Sequence, residues 1–459
     1  MSARFFAPLA ALLASVAPLL AADSPGRAEQ APAKNAAKVA SPEVAIRETL
    51  ARPVELKFVE IRLVNVAKSL EKTLGVPVRL DQKALDKLGI SGDRLITFQV
   101  AGISARSALD LLLREPDLTW VIAHEMLLIT TPEEAETQLS TEVYDVADLV
   151  IHGDATEQPD FDALINMITA TIQPNSWDAV GGRASITPFE AAKIKAIVLS
   201  QRHKFHQDVA TLLADLRKAR REKPGKEERP EAPATAKEAL AARISGPQSR
   251  EEAIRRALAK PVELQFDEKW LLEVVPVLKE KAGVQVVIDD NALRGVGIEP
   301  DTCLSTDVAD IKLRSALDFI LRPLDLTWTV TDEVLLITTP EEAESILFAK
   351  VYDVSDLPAY RNEQGEGVPD FDSLSNTITA CIEPTSWDAV GGPGSIAPFD
   401  ATGIKVLVVR QTWKIHEEIE ALLEKLRKVR GRPLAEEEIA KLPPVPEPVY
   451  KPRPPMPAM

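Results

Sequence analysis

The sequence predicts an α+β protein made by tandem duplication of one unit. Residues 129–136 recur as residues 337–344, shifted by 208 positions, and residues 176–182 recur as residues 386–392, shifted by 210. A register that holds over this length, with one insertion of two residues, indicates duplication. Within each copy, apolar residues switch between a spacing of two and a spacing of three to four, which predicts strands and helices in alternation.

The repeat and the composition between the copies divide the chain into an ordered set of segments. The charged stretch between the copies and the proline-dense end are typical of linkers and tails. We predict a signal peptide at 1–22, a linker at 23–40, module A1 at 41–138, module B1 at 139–221, a charged linker at 222–247, module A2 at 248–346, module B2 at 347–430 and a disordered, proline-rich tail at 431–459.

Module A1 opens with a strand pattern followed by a helix pattern. Val54, Leu56 and Phe58 alternate with two charged residues, which predicts a half-buried strand. The next apolar residues, from Leu63 to Leu74, follow helical spacing and end before a glycine that suits a helix C-cap. Continued along the chain, the spacing predicts β-α-β-β-α-β-β for modules A1 and A2, and β-α-β-β-α for modules B1 and B2.

These patterns resemble a known family. The stretches Val100–Thr131 and Val308–Thr339 contain an Arg-Ser-Ala-Leu helix, an Asp-Leu-Thr-Trp strand and a Leu-Leu-Ile-Thr strand. They are similar to the short N-terminal domain shared by secretins and TonB-dependent receptors. Modules B1 and B2 are similar to the ring-building periplasmic modules of secretins. The transport domain of those proteins has no counterpart here, so the resemblance implies a fold and contact between proteins, without transport activity.

The first residues predict export. Arg4 precedes the apolar stretch Phe5–Leu20, and the small residues Ala21 and Ala22 follow just before a polar one. This order is typical of a secretory signal peptide, with an uncleaved anchor as the alternative. We therefore expect a periplasmic or cell-envelope protein that has no integral membrane segment after cleavage.

Composition excludes several kinds of partner and site. The net charge of −16 disfavours nucleic acid and anionic membrane surfaces. Cys303 and Cys381 correspond to Leu95 and Thr171 in the other copy, which favours two buried thiols over a conserved disulfide. The sequence shows no phosphate-binding glycine loop and no paired-cysteine motif, so we expect no cofactor and no metal.

The strongest local motif is the heptapeptide Ser-Trp-Asp-Ala-Val-Gly-Gly, present in both copies. One interpretation is structural: the tryptophan packs onto its module, the aspartate accepts hydrogen bonds from nearby amides and the glycines supply positive φ. The other is functional, with the tryptophan as an exposed anchor for a partner. The candidate partner-binding loop contains Ser176, Trp177, Asp178, Gly181, Gly182, Ser386, Trp387, Asp388, Gly391 and Gly392.

A catalytic interpretation of the same residues is the weaker alternative. Ser176, Asp178 and His206 recur together in the second copy, which formally supplies a hydrolase triad. The serine lacks a nucleophile elbow and lies only two residues from the acid. We therefore predict a non-enzymatic envelope scaffold that binds proteins, including copies of itself or secretion-type machinery. A small-ligand or peptide sensor and a hydrolase are the alternatives.

Overall fold

A computed structural model describes residues 42–151, 159–191, 194–221, 247–299, 302–362, 365–432 and 434–445. It confirms the α+β class, with helices and several small sheets mixed along the chain. The predicted signal peptide, the linker at 23–40 and nearly all of the charged linker lie outside the described residues. None of the described helices combines the length and the apolar character that a bilayer span requires.

The first copy contains eight helices and eight strands among its described residues. They are α1 Pro42–Leu50, β1 Pro53–Arg62, α2 Leu63–Leu74, β2 Val78–Leu80, α3 Gln82–Lys87, β3 Leu95–Ser104, α4 Ala105–Arg114, β4 Thr119–Ala123, β5 Met126–Thr130, α5 Pro132–Thr137, β6 Leu139–Asp145, α6 Ala147–Val150, α7 Phe161–Thr171, β7 Ser185–Ala191, β8 Ile194–Arg202 and α8 His203–Arg221.

The second copy repeats this order except that no helix corresponds to α6, and its described residues also include a hairpin and a terminal helix. Its elements are α9 Pro247–Leu258, β9 Pro261–Trp270, α10 Leu271–Ala282, β10 Val286–Ile288, α11 Asp290–Gly295, β11 Cys303–Lys312, α12 Leu313–Leu321, β12 Thr327–Thr331, β13 Val334–Thr338, α13 Pro340–Ser345, β14 Phe348–Asp353, β15 Pro358–Arg361, β16 Gly367–Pro369, α14 Phe371–Cys381, β17 Ser395–Ala401, β18 Ile404–Gln411, α15 Trp413–Arg430 and α16 Glu436–Ile439.

In the A modules, a three-stranded sheet and a two-stranded ribbon share one set of helices. Strands pair in the order β2-β5-β4, while β1 pairs with β3 as an antiparallel ribbon. Helix α2 buries Leu63, Val66 and Leu70 on one face, as the helical spacing predicts. It ends at Gly75, whose φ of 68° gives the left-handed C-cap conformation.

In the B modules, three antiparallel strands form a sheet in the order β6-β8-β7 or β14-β18-β17. The preceding helix begins at an aspartate whose carboxylate accepts a hydrogen bond from a first-turn amide, at Asp160 and again at Asp370. Side chains alternate between the two faces of a strand. Ile197 and Leu199 therefore face the helices of their own module.

The two copies share their hydrophobic cores. The core of module A1 includes Val334 and Leu336 from β13 of the second copy. At this contact the buried carboxylate of Glu333 accepts hydrogen bonds from the Ser104 amide at 3.2 Å and from the Ser107 hydroxyl at 3.1 Å, and it pairs with Arg250. Sequence periodicity gave no sign of this contact.

The two B modules also share a hydrophobic core. Strand β18 points Leu407 and Val409 toward its own helices, and the core of module B2 contains both. The opposite face of the same strand presents Val406 and Val408, which belong to the core of module B1. Helices α7 and α8 of the first copy are therefore covered by a sheet on each side.

The tail departs from its prediction. Residues 431–445 include α16, and the Arg361 amide donates to the Pro443 carbonyl at 2.9 Å. Gly367 of β16 lies against Pro358, and Ile439 packs at the same place. Residues 434–445 therefore differ from the predicted disorder, because the hairpin of β15 and β16 gives this segment a surface to pair with. The rest of the predicted tail lies outside the described residues.

Candidate interaction site

The tryptophan of the repeated loop is buried in both copies. The Trp177 indole donates to the Ile172 carbonyl at 2.8 Å, and the Trp387 indole donates to the Ile382 carbonyl at 2.8 Å. Both rings belong to the cores of their own modules. These rings therefore fasten the loop to the end of the preceding helix, as the structural interpretation expects.

The two glycines of the loop are required for different reasons. Gly181 and Gly391 have φ of 88° and 90°, which side chains disfavour. Gly182 and Gly392 do not have positive φ, which corrects the prediction for them. A Cβ on Gly182 would lie 2.0 Å from the Ser176 carbonyl oxygen, so these two glycines permit a close approach of the backbone.

The polar residues of the loop are used locally. Asp178 accepts from the adjacent Ala179 amide at 2.9 Å, and Asp388 does the same in the second copy. The Ser176 hydroxyl donates to the Gln173 carbonyl and accepts from the Gln201 side chain, each at 2.9 Å. Ser386 is held in the same way by Glu383 and Gln411. These bonds fix the loop in the same way in both copies.

Valines are the apolar part of the loop that faces solvent. Val180 and Val390 are exposed at the same position of the two copies. The use of the loop as a partner-binding site stays a prediction. On this structure its contact surface would be the valine and the neighbouring aspartate, with the tryptophan supporting them from beneath.

The histidine that completes the formal triad has other partners. His206 Nε2 lies 2.8 Å from the Ser140 carbonyl oxygen, to which it donates, and the Tyr144 hydroxyl lies 3.1 Å from Nδ1 and 2.9 Å from the His206 carbonyl oxygen. Its hydrogen bonds do not involve Ser176. Burial lowers the pKa of His206. A neutral imidazole tied to a strand carbonyl explains its position at the start of α8.

The second copy repeats this arrangement in a more buried setting. His416 Nε2 lies 3.0 Å from the Phe348 carbonyl oxygen, and Nδ1 lies 2.8 Å from the Tyr352 hydroxyl. Burial lowers the pKa of His416 to about 3. The repeated histidine therefore joins the first strand of each B module to its last helix.

Module B1 has an open apolar sheet face that the sequence did not predict. Val143 of β6 pairs with Val198 of β8, and Phe189 of β7 pairs with Ala196 of β8. Paired residues, and residues two apart on a strand, point to the same face of a sheet, so Val143, Phe189 and Val198 share one face. The exposed fractions are 64% for Val143, 45% for Phe189 and 55% for Ile194. Four apolar side chains at neighbouring positions of one sheet form an unusual surface for solvent contact. We call them the open sheet face.

The corresponding face of module B2 is covered. Phe399, Ile404 and Val408 stand where Phe189, Ile194 and Val198 stand in the first copy. All three belong to the core that contains the helices of module B1. The sequence holds one sign of this face: the same positions are apolar in both copies.

The complementary helix surface is open at the other end of the molecule. In the first copy, Leu212, Leu216 and Ala219 of α8 are buried. Their counterparts in α15 are the half-buried Leu422 and Leu426 and Val429, which is 88% exposed. We call the surface formed by α14 and α15 on this side the open helix face.

One of the two cysteines, Cys381, follows the same pattern. Both thiols are exposed and neither takes part in a disulfide, so the prediction of buried thiols is wrong. The counterpart of Cys381 is Thr171, which is fully buried in the first copy. The difference arises because α7 is covered by the sheet of module B2, whereas α14 carries the open helix face.

Comparison with known proteins gives similarity to solved structures alone; no family model and no curated protein matches. The structure of XcpQN012 is 15% identical, covers 46% of this chain and 85% of its own, and has a TM-score of 0.14. The enterotoxigenic Escherichia coli GspC-GspD complex from the type II secretion system is 14% identical, with coverages of 36% and 97% and a TM-score of 0.13. The N-terminal domain of the secretin XcpQ from Pseudomonas aeruginosa is 13% identical, with coverages of 51% and 82% and a TM-score of 0.12.

These structures come from the class that the sequence resemblance indicated, the secretins. At such TM-scores the similarity carries no argument about function.

Proposed function

We propose that this chain is a non-enzymatic scaffold of the cell envelope that associates head to tail with further copies of itself. The open sheet face of one molecule would bind the open helix face of the next. One observation carries the proposal: the molecule already makes this contact once internally, between the helices of module B1 and the sheet of module B2. Export is supported by the predicted signal peptide, and secretion-type machinery by the sequence resemblance.

The open sheet face keeps the residues that the internal contact uses. Phe189 and Phe399 are identical, as are Ile194 and Ile404, and Val198 and Val408. Helices that pack on the sheet of module B2 would therefore find nearly the same apolar surface on the sheet of module B1. Burial of such side chains stabilises a contact by roughly 25 cal/mol for each Å² removed from water.

The open helix face is a more polar copy of its internal counterpart. Met167 of α7 is buried, and its counterpart Thr377 in α14 is exposed. Leu422, Leu426 and Val429 nevertheless keep an apolar stripe along α15. We therefore expect the contact between molecules to be weaker than the internal one and to depend on protein concentration.

The geometry of this contact distinguishes it from an ordinary dimer. The two surfaces differ, so the contact is heterologous and leaves one of each kind free at the ends of any assembly. Such contacts produce open chains or closed rings.

Analytical ultracentrifugation of the full chain over a range of concentrations tests the proposal. We expect a mass that rises with concentration, and monomers for either of two variants. One carries Val143→Lys with Phe189→Asp on the open sheet face, and the other carries Val429→Glu on the open helix face. Val59→Lys, at an exposed valine of β1, is the matched control and should associate like the parent.

Mixing the two monomeric variants gives the sharpest result. Each retains one intact surface, so an equal mixture should form a dimer and nothing larger. A monomer at all concentrations for the parent chain, or a mixture that stays monomeric while the parent associates, would show that the proposal is wrong.

A further inference from the structure

A cavity of about 360 Å³ lies where module A1 meets module B1. Its wall is mostly apolar, with a few charged and polar groups. The lining includes Arg47, Leu50, Arg106, Glu142, Gln207 and Ala210. Because the chain is duplicated, the second copy contains the same junction.

In the second copy two carboxylates occupy this junction. Glu420 pairs with both Arg255 and Lys350, and Glu417 pairs with Arg314 at 3.1 Å. These glutamates project from α15. They neutralise the cations that modules A2 and B2 bring together.

In the first copy both carboxylates are missing. Ala210 stands in place of Glu420 and Gln207 in place of Glu417. The loss of the first is compensated, because Glu142 replaces Lys350 and pairs with Arg47. The second loss leaves Arg106, the counterpart of Arg314, with no carboxylate within ion-pair distance among the described residues.

Two observations mark the charge of Arg106 as unbalanced. Its guanidinium lies 5.0 Å from the centre of the Trp120 ring, and burial lowers its pKa even though Asp110, Asp208 and Asp332 act to raise it. Gln207, which lines the same cavity in place of Glu417, brings no negative charge. A partly buried guanidinium that has no carboxylate within ion-pair distance is unfavourable.

We propose that this cavity binds a small amphipathic monocarboxylate, an alkyl or aryl acid. Its carboxylate lies beside Arg106, accepts hydrogen bonds from that guanidinium, and supplies the negative charge that Glu417 brings to this junction in the second copy. Its apolar part lies against Leu50 and Ala210. A planar guanidinium is suited to a carboxylate of this kind, and the apolar wall is suited to the hydrocarbon. The site is separate from the open sheet face and does not depend on self-association.

Calorimetric titration of the full chain with octanoate, and with octan-1-ol as the uncharged match, tests the site. We expect octanoate to bind and octan-1-ol to bind at least about tenfold more weakly, since a charge-assisted hydrogen bond is lost. Arg106→Gln should weaken octanoate to a similar extent. Arg314→Gln makes the same change in the second copy and should leave binding unaltered.

A second variant tests the cavity without removing the cation. Ala210→Glu installs the side chain that fills this junction in the second copy, and it should abolish octanoate binding while the far-ultraviolet circular dichroism is kept. No heat of binding for the parent chain would overturn the proposal. Equal binding by the parent, Arg106→Gln and Ala210→Glu would overturn it as well. Binding should persist in the Val429→Glu monomer, which separates this result from the proposed self-association.

Discussion

The buried histidines contribute to stability as neutral side chains. His416 accepts from Tyr352 and donates to a strand carbonyl, so protonation would remove an acceptor in the core. Its folded-state pKa of about 3 lies below the value of about 6.5 expected in the unfolded chain. Its contribution is therefore complete above pH 6.5 and is lost as the pH falls toward 3.

Replacement of this histidine should change the dependence of stability on pH. For His416→Gln, the free energy of unfolding measured in urea should fall less steeply between pH 6.5 and 4 than for the parent, by up to about 1.4 kcal/mol per pH unit. Stability above pH 7 will be lower, because the bond to Tyr352 is altered. Parallel curves for the two proteins would contradict the assignment. A nuclear magnetic resonance titration that shows His416 charged at pH 5 would contradict it too.

The second glycine of the repeated loop should not tolerate a side chain. A Cβ on Gly392 would lie 2.2 Å from the backbone of Ser386. We expect Gly392→Ala to lower the free energy of unfolding by about 2 kcal/mol or more, since the backbone must shift. Gly295→Ala in α11 is the control, because no atom lies within 4 Å and alanine favours a helix. Urea denaturation of both variants measures the difference, and equal stabilities would contradict the geometry.

At the scale of the element, one sheet position has opposite surroundings in the two copies. Ile404 is fully buried on the covered face of β18, whereas Ile194 on β8 is half exposed. We expect Ile404→Asp to cost more than about 3 kcal/mol, because a carboxylate would be buried without a partner. Ile194→Asp should cost less than about 0.5 kcal/mol.

Thermal unfolding at low protein concentration compares these two variants without interference from self-association. A large loss for Ile194→Asp would show that its face is covered within the molecule. A small loss for Ile404→Asp would show that the contact between the B modules is loose.

The mixture of strands and helices was predictable, and the layers that they form were not. Period-two and helical spacing indicate the longer elements, because each of them buries its own apolar side, but they did not indicate the short helices α3, α5 and α6 or the hairpin of β15 and β16. The runs Ala196–Leu199 and Val406–Val409 are both apolar throughout, and neither pattern tells whether one face or two are covered. The distinction comes from a neighbouring module, which leaves no trace in local periodicity.

The candidate site was predicted in part, for the same reason. The buried tryptophan and the glycine at positive φ follow from loop chemistry, which is local. The open sheet face and the cavity beside Arg106 became visible only when corresponding positions of the two copies were compared in space. Gln207 corresponds to Glu417, and Ala210 corresponds to Glu420. The sequence gives these differences no meaning until the structure shows which cations the two glutamates pair with.

At the scale of the whole molecule, the shared cores should hold the copies together without a covalent connection. We expect that a protease site inserted between residues 230 and 231 can be cut. The two fragments, one containing residues 42–221 and the other residues 247–445, should still elute together in size-exclusion chromatography. The reason is that Val334, Leu336 and the covered face of β18 complete cores of the first copy. Separation of the halves in native buffer would contradict this.

The same stacking gives the molecule the character of a repeat protein. Solenoids stop growing because their terminal repeats carry polar caps on the outer face. Here the described part of the chain has an apolar surface at each end: the open sheet face on the first copy and the partly apolar open helix face on the second. Two copies are the smallest number that defines how one repeat packs on the next. Any additional copy, in the same chain or in another molecule, would pack in the same way.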